Sequence, residues 1–371
     1  RRAMIVPFSY LKRQFADIDP YLDDIAELVG TADFTLGAAV DEFENSFASY
    51  VGLPHAVGVG SGTDALIMPL KLLGVGPGDE VITAANTFIA TVGAIAAVGA
   101  KPVFVDSEDG FVIDVEQIEE AITPKTRAII PVHYTGNVAD MPNIMKIAER
   151  YGLVVIEDAC QTIGARLLDK PVGSWGAAAA FSVHPLKNIN IWGDGGLVLT
   201  SDAILAERLR LYRNHGLVDR DHVKSFGINC RLDSLQALIG KRLMAEASAI
   251  TERRIDVAAH YDRAFADMGN AVRVPHRRPE VRHVFHLYIL RVEQRDDLVA
   301  QLNSRGIEAK IHYPIPIHLQ EAALDLGYGP GDFPVTENDA KCVVTLPAHQ
   351  HLSQAEIDYT VEQVRAFYGY A

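Results

Sequence analysis

Residues 181–196 read Phe181-Ser182-Val183-His184-Pro185-Leu186-Lys187-Asn188-Ile189-Asn190-Ile191-Trp192-Gly193-Asp194-Gly195-Gly196. Small apolar runs flank the stretch, Ala177–Ser182 and Gly196–Thr200, and both read as strands. Lys187 stands alone between Pro185 and a turn that holds Gly193, Gly195 and Gly196. An ammonium group is costly to bury unless it is paired or neutralised. A lysine in this place either snorkels to solvent or is used chemically, and a Schiff-base lysine is helped to shed its proton by partial desolvation.

Working outward, unbroken apolar runs recur as Ala56–Gly60, Glu80–Thr83, Pro102–Asp106, Arg127–His133 and Leu153–Asp158. With the two flanking runs they make seven strands. Helical spacing separates most of them, at Thr63–Leu73, Phe88–Val98, Val115–Ala121 and Met141–Tyr151. This alternation predicts an α/β fold: a large domain with a mostly parallel seven-stranded sheet flanked by helices. Phe15–Val29 and Ala38–Tyr50 are predicted helices ahead of it, and residues 203–267 are helical in composition. A smaller α+β domain follows, with a strand over Val284–Val292 and helices over Asp296–Arg305 and Ser353–Tyr368. The division is set at 4–250 and 251–371.

Composition narrows the function. The chain has 371 residues, 49% of them hydrophobic and 22% charged, as in soluble globular proteins. Its formal net charge of −14 argues against nucleic acid as a partner. Three widely spaced cysteines imply no disulfide framework and suit the cytoplasm. No apolar run suggests a membrane span, no signal peptide is visible, and Arg1–Ala3 are set aside as a remnant of expression ahead of Met4. No ligand cluster points to a metal.

Ligands of such sheets sit at the carboxyl ends of the strands. After the first strand comes Gly58-Val59-Gly60-Ser61-Gly62-Thr63, where Gly62 and Thr63 open a helix and offer an anion site. Thr63 stands where a dinucleotide fingerprint requires glycine. Phe88, after the second strand, is either a core aromatic or a ring for stacking on a flat heterocycle. Asp158, ending the fifth, is either a helix cap or an acceptor for a protonated ring nitrogen, and Gln161 lies one turn on. Ser182 ends the sixth strand before Lys187. Phosphate site, stacking ring, carboxylate and lysine together describe a pyridoxal phosphate pocket.

The chain resembles the nucleotide-sugar aminotransferases of the DegT/DnrJ family, on the aspartate aminotransferase fold (PLP fold type I). The resemblance rests on five motifs in order: Ser61-Gly-Thr-Asp-Ala-Leu, Gly76-Pro-Gly-Asp-Glu-Val-Ile, Glu157-Asp-Ala, Lys187-Asn with Gly193-Asp-Gly-Gly, and Gly227-Ile-Asn-Cys-Arg-Leu-Asp233. It implies that Gly62, Thr63 and Ser182 hold the phosphate of pyridoxal 5'-phosphate, Phe88 stacks on its ring, Asp158 pairs with the ring nitrogen and Gln161 meets the ring hydroxyl. Lys187 would be the Schiff-base lysine and proton shuttle. Asn229 would reach the phosphate held by a neighbouring copy, making the active unit a homodimer with shared active sites. His184, His215, His312, Tyr313 and His318 are implied at the substrate end. The activity implied is transfer of an amino group, with glutamate as donor, onto a nucleotide-linked keto-sugar. Asp194 in the glycine turn resembles members that act on 3-keto rather than 4-keto sugars. A sugar dehydratase, whose relatives carry histidine in place of the lysine, and a cyclitol aminotransferase are the alternatives.

Overall fold

In the computed structural model, which describes residues 4–370, all seven strands form: β1 (His55–Val59), β2 (Glu80–Ala84), β3 (Lys101–Val105), β4 (Thr126–Ile130), β5 (Val154–Asp158), β6 (Ala178–Ser182) and β7 (Gly196–Thr200). Arg1–Ala3 lie outside the described residues. The strands lie in the order β1-β7-β6-β5-β4-β2-β3. Pairing is parallel from β3 through β6, and β7 runs antiparallel to both β6 and β1. Both faces of the sheet are buried, so the strands need apolar residues at odd and even positions alike. In β6, Ala179 and Phe181 enter one core while Ala178 and Ala180 enter the other. Leu197 and Leu199 of β7 face the first core and Val198 the second.

Glycine decides two close approaches at the sheet's carboxyl edge. A Cβ on Gly62, which opens the helix Gly62–Leu72, would lie 2.8 Å from the Cβ of Ser182. A Cβ on Gly196 would lie 2.3 Å from the Ser61 carbonyl oxygen. That oxygen belongs to the backbone of a helix start and has nowhere to go. Gly196→Ala is expected to cost about 1–3 kcal/mol by overpacking, read as a fall in the thermal midpoint by circular dichroism; an unchanged midpoint would show that the turn has slack.

Beyond the sheet, β8 (Val272–Arg273), β9 (Tyr288–Val292) and β10 (Val343–Leu346) form an antiparallel sheet. It is covered by the helices Arg295–Ser304 and Gln354–Phe367, the latter begun by a capping box between Ser353 and Glu356. The helix Ala247–Phe265 passes from one core to the other: Ala247 and Ile250 pack under the large sheet, while Val257, Tyr261 and Phe265 pack under the small one.

Two expectations are corrected. Residues 203–267 are not continuously helical, because 213–233 form a loop between the helices Ala203–Tyr212 and Ser234–Met244. Gly216 has a φ of +75°, and a Cβ there would fall 1.6 Å from the Ser225 carbonyl oxygen, so the chain must fold back on itself at this point. Residues 115–121 make two short 3₁₀ turns in place of an α-helix.

Candidate active site

Lys187 and Asp158 line one cavity of about 390 Å³ at the carboxyl ends of β5 and β6. Gly62, Thr63 and Ser182 line its inner wall, with Gln161 beside Asp158. Phe88, His184, His312 and Tyr313 line it as well. A second hollow of about 780 Å³ continues from it, sharing Thr87, Phe88, His312 and Tyr313 and reaching the Pro314–Ile317 loop.

Asp158 is buried, and its carboxylate is held from behind. The Thr91 hydroxyl donates to Oδ2 at 2.8 Å and the Cys160 N–H to Oδ1 at 3.2 Å. A carboxylate has about four lone-pair sites, so two accepted bonds leave capacity for a donor in the cavity. Neighbouring Glu157 anchors this end of β5. Its oxygens accept the backbone N–H groups of Gly173, Trp175 and Gly176 at 2.8–2.9 Å. His133 Nε2 adds a fourth donor at 2.9 Å, since its Nδ1 already accepts from the Ala139 N–H.

Lys187 is half-buried in the turn after β6. Burial lowers its pKa below the ordinary lysine value, opposed by Cys160 and Asp158. The turn itself is clamped through the backbone. The Tyr10 hydroxyl donates to the Lys187 carbonyl at 2.5 Å and Asn190 Nδ2 donates to it at 3.0 Å. Tyr10 comes from residues 6–14, an arm tied to the far side of the molecule by Val6 to Gly306, Pro7 to His349 and Arg13 to Glu356. The Arg254 guanidinium lies 5.1 Å from the centre of the Tyr10 ring, and burial raises the phenol's pKa, keeping it a donor. Tyr10→Phe is expected to cost about 0.5–1.5 kcal/mol. It should speed amide exchange over 187–191 without changing exchange in β6; equal protection of the turn in both proteins would rule the clamp out.

The anion cup is built from the start of the helix Gly62–Leu72. Ser61 Oγ caps the Asp64 N–H at 3.0 Å. The N–H groups of Gly62 and Thr63 belong to the unpaired first turn and carry the positive end of the helix dipole. Ser182 Oγ stands across from them, close enough that Gly62 admits no side chain. These residues fit a phosphate, and Asp158 fits a protonated ring nitrogen. Gln161 Oε1 accepts the Thr135 N–H at 2.7 Å, which leaves its amide N–H groups as its remaining donors.

Three sequence candidates lie elsewhere. His318 is buried, with Nε2 3.0 Å from Glu337 and its ring against Phe333. His215 and Asn229 are exposed on the 213–233 loop and do not line the cavity. Tyr10, Arg254 and His286 line it too, and the sequence reading did not assign them to this site. Burial lowers the pKa of the surrounding histidines, His312 to about 4 and His349 to about 3, so these rings are neutral.

Several known proteins share this chain's sequence and shape. A "pleiotropic regulatory protein" of Geobacillus stearothermophilus is 43% identical over 368 residues, covering 98% of this chain and 99% of its own. The dTDP-3-amino-3,4,6-trideoxy-alpha-D-glucose transaminase of Streptomyces venezuelae is 40% identical over 362 residues, covering 97% of this chain and 95% of its own. The crystal structure of S. venezuelae DesV in complex with a ketimine intermediate superposes with a TM-score of 0.95 at 38% identity, covering 99% of both chains. The DegT/DnrJ/EryC1/StrS aminotransferase family matches residues 18–365. Sequence and fold agree, and the chain belongs to that aminotransferase family.

Proposed function

We propose that this chain binds pyridoxal 5'-phosphate and transfers an amino group from an amino acid, glutamate in our reading, onto a nucleotide-linked keto-sugar in amino-sugar biosynthesis. The observation that carries the reading is the meeting, in one cavity, of a lysine with a lowered pKa, a braced buried carboxylate and a helix-start anion cup. The cofactor, when bound, supplies an electron sink for cleavage of a C–H bond next to the transferred nitrogen.

The protein's own residues do the rest. Gly62, Thr63 and Ser182 would hold the phosphate, Phe88 would cover the ring and Gln161 would donate to the ring hydroxyl. Asp158 keeps the ring nitrogen protonated through opposite charge. Lys187 would be the residue that links to the cofactor, and its free amine would carry the proton from the donor's carbon and return one to the sugar's carbon. A depressed pKa suits that double duty, since more of the amine is free base near neutral pH. His184, His312 and Tyr313 face the sugar. The adjoining hollow beside Pro314–Ile317 gives the nucleotide end room that the catalytic cavity lacks.

The active unit in this reading is a homodimer in the cytoplasm. The exposed Asn229 of one copy then completes the phosphate site of the next, and the three free cysteines suit a reducing compartment. The large domain would end near residue 250, inside the helix that joins the two cores. Transfer to the 3-position is favoured over the 4-position by Asp194, which lines the cavity.

The test is a stoichiometric assay with purified protein, glutamate and a nucleotide-linked 3-keto-hexose. One 2-oxoglutarate should appear for each amino sugar formed. Loss of the sugar's hydroxyl as water, with no glutamate consumed, would make the enzyme a dehydratase instead.

A further inference from the structure

His286 enters the cavity from the small-domain side, two residues before β9. Its ring orientation follows from the turn that carries Lys187. Asn188, the next residue after the lysine, donates from Nδ2 to the Val284 carbonyl at 3.1 Å. A carbonyl only accepts, so the amide nitrogen must lie on that side and Oδ1 on the other. Oδ1 lies 3.2 Å from His286 Nδ1. An amide oxygen also only accepts, so Nδ1 carries the hydrogen. Burial, together with the charges of Lys187 and Arg254, drives the imidazole's pKa well below its ordinary value. The neutral ring has a single N–H, and Nε2 therefore carries a lone pair.

That lone pair opens into the site. Among the described residues the buried side-chain nitrogens without a partner are Trp175 Nε1, Arg213 Nε, His318 Nδ1 and His349 Nδ1. His286 Nε2 has no protein partner among the described residues and is not in this buried set, so it keeps accessible surface, and its ring lines the cavity. His312 Nδ1 meets the Thr345 hydroxyl at 2.8 Å, a group that donates or accepts and so leaves that ring's tautomer open, whereas two other rings are fixed differently. His184 Nδ1 accepts the Leu186 N–H at 3.2 Å, so the neutral ring shows the cavity an N–H. His349 Nε2 is taken by the Pro7 carbonyl at 3.0 Å. Lys187 and Arg254 only donate when charged.

We propose that His286 is a specificity-determining residue: its Nε2 accepts a hydrogen bond from a sugar hydroxyl on the carbon beside the reacting carbonyl. The reacting carbon must come to Lys187. His286 is oriented by the residue adjoining Lys187 and lines the same cavity, and a hydroxyl beside the reacting carbon is the group proposed for it. The inference rests on the proposed keto-sugar substrate, and its tests separate the two.

The first test needs no turnover. In cofactor-free protein labelled with ¹⁵N-histidine, the His286 signals, identified by their loss in His286→Gln, should show a protonated Nδ1 and a pyridine-type Nε2. Adding the nucleotide-linked sugar should shift the Nε2 resonance in the direction of an accepted hydrogen bond. The opposite tautomer, or an Nε2 signal that the sugar does not move, would overturn the proposal. The second test compares kcat/KM for a keto-sugar that bears the neighbouring hydroxyl with its deoxy analogue. The wild-type protein should prefer the hydroxyl by about 10- to 100-fold. The preference should collapse toward unity in His286→Leu and return in part in His286→Gln, whose side-chain oxygen can accept. A preference equal in wild type and His286→Leu would refute the role. Should the wild-type protein turn over neither sugar, the substrate reading fails while the tautomer result still judges the geometry.

Discussion

Replacing Lys187 by alanine is expected to lower turnover on the order of 10⁴- to 10⁶-fold, the scale seen when a covalent catalytic group is removed. The visible absorption band of the lysine–cofactor linkage should vanish with it, and borohydride should no longer fix the cofactor to the protein. The fold should survive the change. The turn at 187 is held by its carbonyl, through Tyr10 and Asn190, and by its N–H, which donates to the His184 carbonyl at 2.8 Å. None of these bonds uses the side chain that is lost. A thermal midpoint near the wild-type value, with activity gone, would separate chemistry from structure. Residual turnover within tenfold of wild type would mean that another amine does the work.

Asp158→Asn should be nearly as damaging for a different reason. Asparagine has the same shape, and its one carbonyl oxygen can still accept from the Thr91 hydroxyl, while the bond from the Cys160 N–H is lost because the amide nitrogen there only donates. What is lost is the negative charge, and with it the reason for the ring nitrogen to stay protonated. The cofactor should remain bound through the cup at Gly62, Thr63 and Ser182. Turnover should fall on the order of 10²- to 10³-fold, as when one preorganised electrostatic partner is removed. Cofactor retention is measured by absorbance after desalting and turnover by the glutamate assay. Unchanged turnover would contradict the ring-nitrogen role.

The large sheet was legible in the sequence because each of its strands is buried on both faces, which forces runs of apolar residues bounded by turn chemistry. Lys187, Asp158, Gly62 and Ser182 could be placed because they follow directly on those strands. The 213–233 loop was not legible. Its arginine- and leucine-rich surroundings have helical propensity, but the reversal at Gly216 is a tertiary constraint that propensity does not register. Tyr10, Arg254 and His286 were not assigned to the site for a related cause. Each lies far along the chain from Lys187 and reaches the cavity only once the arm, the connecting helix and the small sheet have packed together. His318 shows the converse: a histidine in a suggestive motif whose ring is absorbed by a carboxylate and an aromatic neighbour.

The arm that carries Tyr10 bears on how the molecule is made. Residues 6–14 leave the ribosome long before their docking partners at 306–308, 349 and 356 exist. The earliest of these segments to be synthesised is thus among the last to settle, and it must wait, solvated, through the production of some three hundred residues. Nascent chains halted before residue 306 should hold a folded large sheet around a loose turn at Lys187, so the clamped turn would arrive in a final step distinct from folding of the sheet itself.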